Sequence, residues 1–491
     1  MLAVIGLASG VAIARAYGIE VVGLYALAYA PVGICGSLST LQEQAALVRE
    51  LAVLPPRAPR ITGLFVPVLA FSFALSLVVA VLVGLAAFVV LSEPIDQPDL
   101  VPAALVLLAE YVLISNTSWN VDMVFASFQA GRQLFWLRLL HALVYVAVAV
   151  VLGLVWGSVW GLVAAQVGAA LASLVARIPV IRGFMRLIVP REELRRGWRS
   201  FSEIVKFGAK LAPGTAAGGI GIQAPTWILG ITSTVPAVGA WNRAWMIGTR
   251  LVEPTYRVAE VLFPTLVARR VEGDHQGFDR ALADSARVLT TGLLLVAAAA
   301  GGAAVGVMEI YGEGFTQAAD ALTIILLVPV LHGVTMAVGQ GLVAVDRPGI
   351  TSVISVFRLA LIIALGVVLS LAMGLTGMAL AQLAAWAIDT ALRAATMRRH
   401  LQTPIRWLVP ARSVVSLVLA YAAGFGAARL TDNAVDGAGG LGLGLLAGTG
   451  IFAITFLVSG GLLDRDRERL GALRQRLRQR RALGAEGSSR S

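Results

Sequence analysis

The chain has 491 residues, of which 58% are hydrophobic and 14% charged, and its mean hydropathy is +0.83. That balance excludes a water-soluble domain and predicts an all-α polytopic membrane protein. The net charge of +11 does not point to nucleic acid, because basic residues in such a chain gather in the loops on one side of the bilayer.

Helical spans are expected at 2–14, 22–47, 61–91, 100–128, 134–156 and 159–180. After a basic stretch they resume at 204–231, 236–268, 284–309, 319–345, 350–373 and 376–397. Two more, 412–430 and 439–463, make fourteen. Residues 2–14 are short for a span and lack the flanks of a cleavable signal, which leaves a start upstream of Met1 open.

Charge sorts with this map. With the N-terminus inside, the inside loops hold Arg49, Arg57, Arg60, Arg132, Arg138, the cluster from Arg177 to Lys210, Arg269, Arg270, Arg347 and Arg393 to Arg412. The outside loops keep Arg15 and Arg429 and are otherwise acidic, with Glu93, Asp96, Asp99, Glu309, Glu313, Asp320, Asp432 and Asp436. This is a positive-inside pattern with both termini cytoplasmic.

The chain also repeats itself at one shared offset. Val22-Gly-Leu-Tyr25 falls on Val238-Gly-Ala-Trp241, and Trp160-Gly-Leu-Val-Ala-Ala-Gln166 falls on Thr376-Gly-Met-Ala-Leu-Ala-Gln382. An even number of spans per unit makes the repeats parallel, with a cavity expected between them. The expected division is a six-helix lobe at 1–180, a basic cytoplasmic linker at 181–203 and a second six-helix lobe at 204–398. Two further helices at 399–463 and an Arg-rich cytoplasmic tail at 464–491 complete it.

The segment 236–268 carries the most chemistry. Arg243, Arg250 and Arg257 are seven residues apart and share one helix face, with Arg250 near mid-membrane. A central Arg costs at least ~2.5–3.5 kcal/mol to insert, so it faces a cavity or a partner. A cationic stripe on a cavity suits a phosphate or diphosphate. The competing reading is a structural ladder, since Glu253 and Glu260 stand at i,i+3 from Arg250 and Arg257. Pro254 is expected to kink the helix.

Other intramembrane charges are few. Glu110, Asp122 and Asp389 are candidates for ion coupling or for pairing with Arg. Arg358 is expected to pair with Asp389, and Arg15 either guards the outer mouth or sits in the interface. His141 and His332 read as satisfied core residues. No GxxxxGK[ST] loop and no His/Asp/Glu cluster of metal spacing occurs, and Cys35 stands alone, so no cofactor, metal or catalytic group is expected.

Ala14-Arg15-Ala-Tyr-Gly18 followed by Glu20-Val-Val-Gly23-Leu-Tyr25-Ala-Leu-Ala28, with Val258-Ala-Glu-Val-Leu-Phe263-Pro264, resembles the bacterial polysaccharide biosynthesis flippases. These are the Wzx-like O-antigen and exopolysaccharide repeat-unit translocases of the multidrug/oligosaccharidyl-lipid/polysaccharide exporter superfamily. The resemblance implies two six-helix bundles around a central cavity in the bacterial cytoplasmic membrane. It implies transfer of undecaprenyl-diphosphate-linked oligosaccharide to the outer leaflet, with a polymerase and other assembly proteins as partners. The positions matching the family's cationic residues are Arg15, Arg243, Arg250 and Arg257, while the seventh span offers no charge between Ala212 and Thr234. The alternatives are a multidrug or cation antiporter of the same superfamily, which wants an acidic cavity, and a lipid II flippase. A membrane-embedded glycosyltransferase would need a large outer loop with catalytic groups, and the outer loops here are short.

Overall fold

The computed structural model describes residues 2–463 apart from 42, 187, 210, 211 and 436. The tail 464–491 expected to be cytoplasmic lies outside the described residues. Among those residues every regular element is a helix.

The first helix, α1 (Leu2–Leu38), folds back on itself at Gly18, where φ is 76° and ψ 172°. Only glycine takes that backbone without strain. Gly6 and Gly10 lie against Arg250 and Arg243, while Gly33 meets Gln223, so the two limbs follow different helices. A short α2 (Glu43–Leu51) precedes the long α3 (Pro59–Ser92). Next come α4 (Val101–Glu110) and α5 (Asn116–Ser127), joined through a π-helical turn at Tyr111–Ser115. The pair α6 (Gly131–Val155) and α7 (Val159–Ile181) follows.

The basic linker is α8 (Arg191–Ala209), an amphipathic helix packed on α3 by way of Phe201 and Phe71. Beyond it run α9 (Ala212–Thr232), α10 (Val235–Arg250) and α11 (Glu253–Val271). Then come α12 (His275–Gly302), α13 (Ala304–Glu309), α14 (Ala319–Ile325) and α15 (Val328–Ala344). The 51-residue α16 (Pro348–Arg398) folds at Gly374, where φ is 57°. After α17 (Ile405–Leu408), helices α18 (Ala411–Ala434) and α19 (Gly437–Val458) pack on each other and on α12.

Among the described residues, ten helical runs are long and apolar enough to cross a membrane, and the protein is multi-pass. The expected fourteen arises by counting the limbs at Gly18 and Gly374 separately and adding α9 and α10–α11. The turn at Gly18 corresponds to that at Thr234, and the turn at Ser158 to that at Gly374, at the same offset that relates Val22 to Val238 in the sequence repeat. We call the end of the bundle that carries these four turns the tip end and the opposite one the basic end.

One expectation fails in this region. The segment 236–268 is not one continuous helix. It breaks at Leu251–Val252, just before Pro254, whose ring cannot accept an unbroken helix on its N-terminal side. Arg243 and Arg250, both on α10, still follow one face against Gly10 and Gly6 of α1, while Arg257 lies beyond the break, on α11.

Candidate functional site

A cavity of about 920 Å³ opens between the helices before and after α8. Its walls come from the second limb of α1, the π turn, α9, the α10–α11 break, α15 and both limbs of α16. Tyr29, Tyr111 and Trp245 line it from α1, the π turn and α10, and Thr351, Ser352 and Arg393 line it from α16. Most of the lining is apolar or small, with Gly214 and Gly219 of α9 packed closely against Ser352 and Ser37.

The polar focus lies on α16. Arg358 Nη1 is 3.3 Å from Asp389 Oδ1, and Arg393 Nε is 2.8 Å from Asp389 Oδ2. Arg393 also donates to Ser355 Oγ at 2.8 Å. Asp389 is 1% exposed and does not line the cavity, whereas both arginines do. Two guanidinium groups therefore share one carboxylate, and one positive charge is left over at the wall. Arg358 stacks on Trp386 at 3.9 Å from the ring centroid. His332 packs between Trp386 and Tyr256, with ring centroids 5.1 and 5.6 Å away, and its Nδ1 is 3.1 Å from Thr255 Oγ1. The result is an aromatic platform beside a fixed cation, with no Asp or Glu among the described residues lining the cavity.

The sequence-predicted residues lie elsewhere. Arg15, Arg243, Arg250, Arg257, Glu253 and Glu260 do not line this cavity. Arg250 pairs with Glu253 at 2.7 Å and Arg257 with Glu260 at 2.8 Å, both toward the surface, as in the ladder reading. Arg15 donates to the Ile310 carbonyl at 2.8 Å at the tip end. Arg243 is 5% exposed, its Nε has no hydrogen-bond partner, and it is enclosed by Tyr25, Tyr145 and Tyr311. Asp122 is held by Arg177 at 2.9 Å and Arg138 at 3.6 Å, and Asp389 by Arg358 and Arg393 as above. Glu110 makes no salt bridge among the described residues; it accepts from Ser115 Oγ at 2.5 Å.

Sequence reasoning missed His332, Trp386 and Arg393 as cavity residues. The signal for Arg393 was present. It is the repeat counterpart of Arg177, as Val238 is of Val22, and each arginine bonds a residue four positions back, Ser173 or Asp389. Counting both with the loops hid that correspondence.

The arrangement is that of a multi-pass helical membrane protein. Its fold is shared with the lipid II flippase MurJ in an inward closed conformation, at a TM-score of 0.71 and 12% identity over 93% of this chain and 96% of that one. It is also shared with an inward-facing multidrug resistance MATE family transporter of the MOP superfamily, at a TM-score of 0.64 and 14% identity over 81% of this chain and 95% of that one. At such identities the likeness is one of fold. In sequence, residues 3–268 match the family described as polysaccharide biosynthesis protein, and the chain belongs to that family. A stretch of 171 residues is 30% identical to the probable low-salt glycan biosynthesis flippase Agl15 of Haloferax volcanii. That match covers 34% of this chain and 36% of the relative, so the chain spans about a third of the length of the curated relative it matches.

Proposed function

We propose that the protein is a flippase that moves undecaprenyl-diphosphate-linked oligosaccharide repeat units across the bacterial cytoplasmic membrane for surface polysaccharide synthesis. One observation carries the reading: a cavity wall with two buried arginines against one buried carboxylate. A diphosphate supplies the missing negative charge, and bidentate guanidinium groups suit phosphate oxygens. The platform of Trp386, His332 and Tyr256 offers flat apolar faces to sugar rings. A cation exporter wants carboxylates on the wall, and the described lining has none.

In this reading residues 1–180 and 204–398 form two lobes that rock about the cavity, giving alternating access. The basic end faces the cytoplasm, as do both termini, so the cavity described here is the inward-open one. The lipid tail stays in the bilayer while the head group passes, and a polymerase receives the product outside.

The test is deletion of the gene with rescue by wild type, Arg358→Ala or Arg250→Ala. The reading expects surface glycan to vanish and lipid-linked repeat units to accumulate in the deletion, with rescue by wild type and Arg250→Ala and none by a folded Arg358→Ala. Unchanged surface glycan with raised drug sensitivity would overturn it in favour of an exporter. Accumulation of lipid II would assign the peptidoglycan precursor as cargo instead.

A further inference from the structure

The connection between α16 and α18 holds a second pocket, of about 630 Å³, that the proposed function does not use. Arg398 closes α16, Arg406 stands on α17, and both line it. Leu401, Gln402, Thr403 and Pro404 of the intervening loop complete the wall, and no Asp or Glu is among the described residues that line it. Neither arginine has a salt-bridge or hydrogen-bond partner among the described residues. Arg269 and Arg270, at the end of α11, are engaged instead: Arg269 pairs with Asp274 at 2.7 Å and Arg270 donates to the Ala344 carbonyl.

The loop between the two arginines is held in shape from behind. Asp279 of α12, 1% exposed, accepts from the Gln402 and Thr403 N–H groups at 3.1 and 2.7 Å. Leu401 packs against the cluster that includes Phe278, Leu282 and Met397. The main-chain donors are thereby spent on Asp279, and the Gln402 amide and Thr403 hydroxyl make no hydrogen bond among the described residues. Two guanidinium groups, an amide and a hydroxyl thus line one pocket without an acid to answer them. Such a donor set suits an oxyanion, because the forked N–H groups of arginine match phosphate oxygens.

The pocket also sits at the depth of lipid phosphates. From the fold at Gly374 to Arg398, α16 runs about 24 residues, roughly 36 Å at ~1.5 Å per residue, against a ~30 Å hydrocarbon core. Arg398 therefore emerges in the head-group layer at the basic end. The adjoining spans expose Ile388 and Leu392 on α16 and Val414 and Val418 on α18, two i,i+4 rows on which acyl chains can lie. We propose that this pocket binds a phosphate oxyanion between Arg398 and Arg406, either the head group of an anionic membrane lipid or free phosphate. The bound group ties the end of α16 to α17 through two arginines that otherwise repel each other.

The experiment is thermal unfolding of the full chain in detergent, titrated with phosphatidylglycerol, with phosphatidylcholine and with inorganic phosphate. A ligand that binds the native state raises Tm. Phosphatidylglycerol is expected to raise it, and phosphatidylcholine, whose phosphate is neutralised by choline, is not. Arg398→Ala or Arg406→Ala is expected to weaken the titration midpoint roughly fivefold, and the double variant roughly thirtyfold. The control replaces Arg347 and Arg399, two exposed arginines of the same end that do not line the pocket. A response to phosphatidylglycerol alone assigns the lipid head group, and a response to inorganic phosphate that the double variant abolishes assigns free phosphate. No response to either, an equal response to phosphatidylcholine, a response the double variant keeps, or an equal loss in the control overturns the proposal. If the alanine pair does not fold, Arg398→Gln with Arg406→Gln takes its place under the same expectations. The inference stands apart from the cargo, since a deletion without any glycan phenotype would end the flippase reading and leave this pocket untouched.

Discussion

Gly23 and Gly239 mark a tight crossing at the tip end, and they are counterparts in the sequence repeat. A Cβ on Gly23 would fall on the Val235 carbonyl oxygen, 3.0 Å from Val235 Cγ1 and 3.1 Å from Gly239 N. A Cβ on Gly239 would meet the Ile19 carbonyl oxygen and lie 3.1 Å from Gly23 N. Contacts between such atoms are comfortable at about 3.5–4.0 Å, so either methyl must push the helices apart by roughly half an ångström or more. Overpacking of this kind costs about 1–3 kcal/mol. The cost falls only on the state in which the tip end is closed, so it moves the population toward the tip-open state by roughly 5- to 150-fold. Alanine also favours both helices by about 1 kcal/mol over glycine, which guards against unfolding. The assay is labelling of a single cysteine. In a Cys35→Ala background, Trp245→Cys places a thiol on the cavity wall, farther along α10 from the tip end than the crossing. A membrane-impermeant maleimide added from the tip side is expected to label it faster in Gly23→Ala, and equally so in Gly239→Ala. Unchanged labelling in well-folded Gly23→Ala would refute the crossing as the closure of the tip end.

Four more outcomes follow from the charges. Arg358→Ala leaves Asp389 bonded to Arg393 at 2.8 Å, so thermal unfolding in detergent is expected to change little while glycan output is lost. Arg250→Ala removes a half-exposed pair worth under about 1 kcal/mol, and output near wild type is expected in the same complementation. Asp389→Asn strands two buried guanidinium groups, and a destabilisation of about 3–5 kcal/mol is expected as a lowered Tm. Asp274 caps α12, and the Gly277 N–H at 2.8 Å, with Arg269 beside it, holds its carboxyl below the ordinary value of 3.8. Its contribution is therefore fully present above that value and is lost as pH falls through the lower native one. Asp274→Asn is expected to remove that acid-side slope in a pH series of thermal unfolding.

The elements were legible because burial in lipid leaves one solution for the backbone. Apolar length gave the spans, and the turns at Gly18 and Gly374 lie within a few residues of the expected gaps. The repeat offset was visible in short matches and recurs in the turn positions. The site was less legible. The stripe on 236–268 holds for Arg243 and Arg250, which lie against Gly10 and Gly6 of α1, but the break at Leu251–Val252 separates them from Arg257. His332, Arg358 and Trp386 come from α15 and the two limbs of α16, and no spacing along one helix brings them together. The pairing of Arg358 with Asp389 was within reach, because a buried carboxylate and a buried guanidinium on neighbouring spans have few other partners.

The matched arginines, Arg177 and Arg393, also say something about how such a molecule is remade. Each copy has a guanidinium at the same place, bonded to an acid that a second arginine also approaches: Arg138 at Asp122 and Arg358 at Asp389. Only the second pair, Arg358 and Arg393, lines the cavity. A duplicated chain can thus assign recognition to one half and rigidity to the other without inventing a residue.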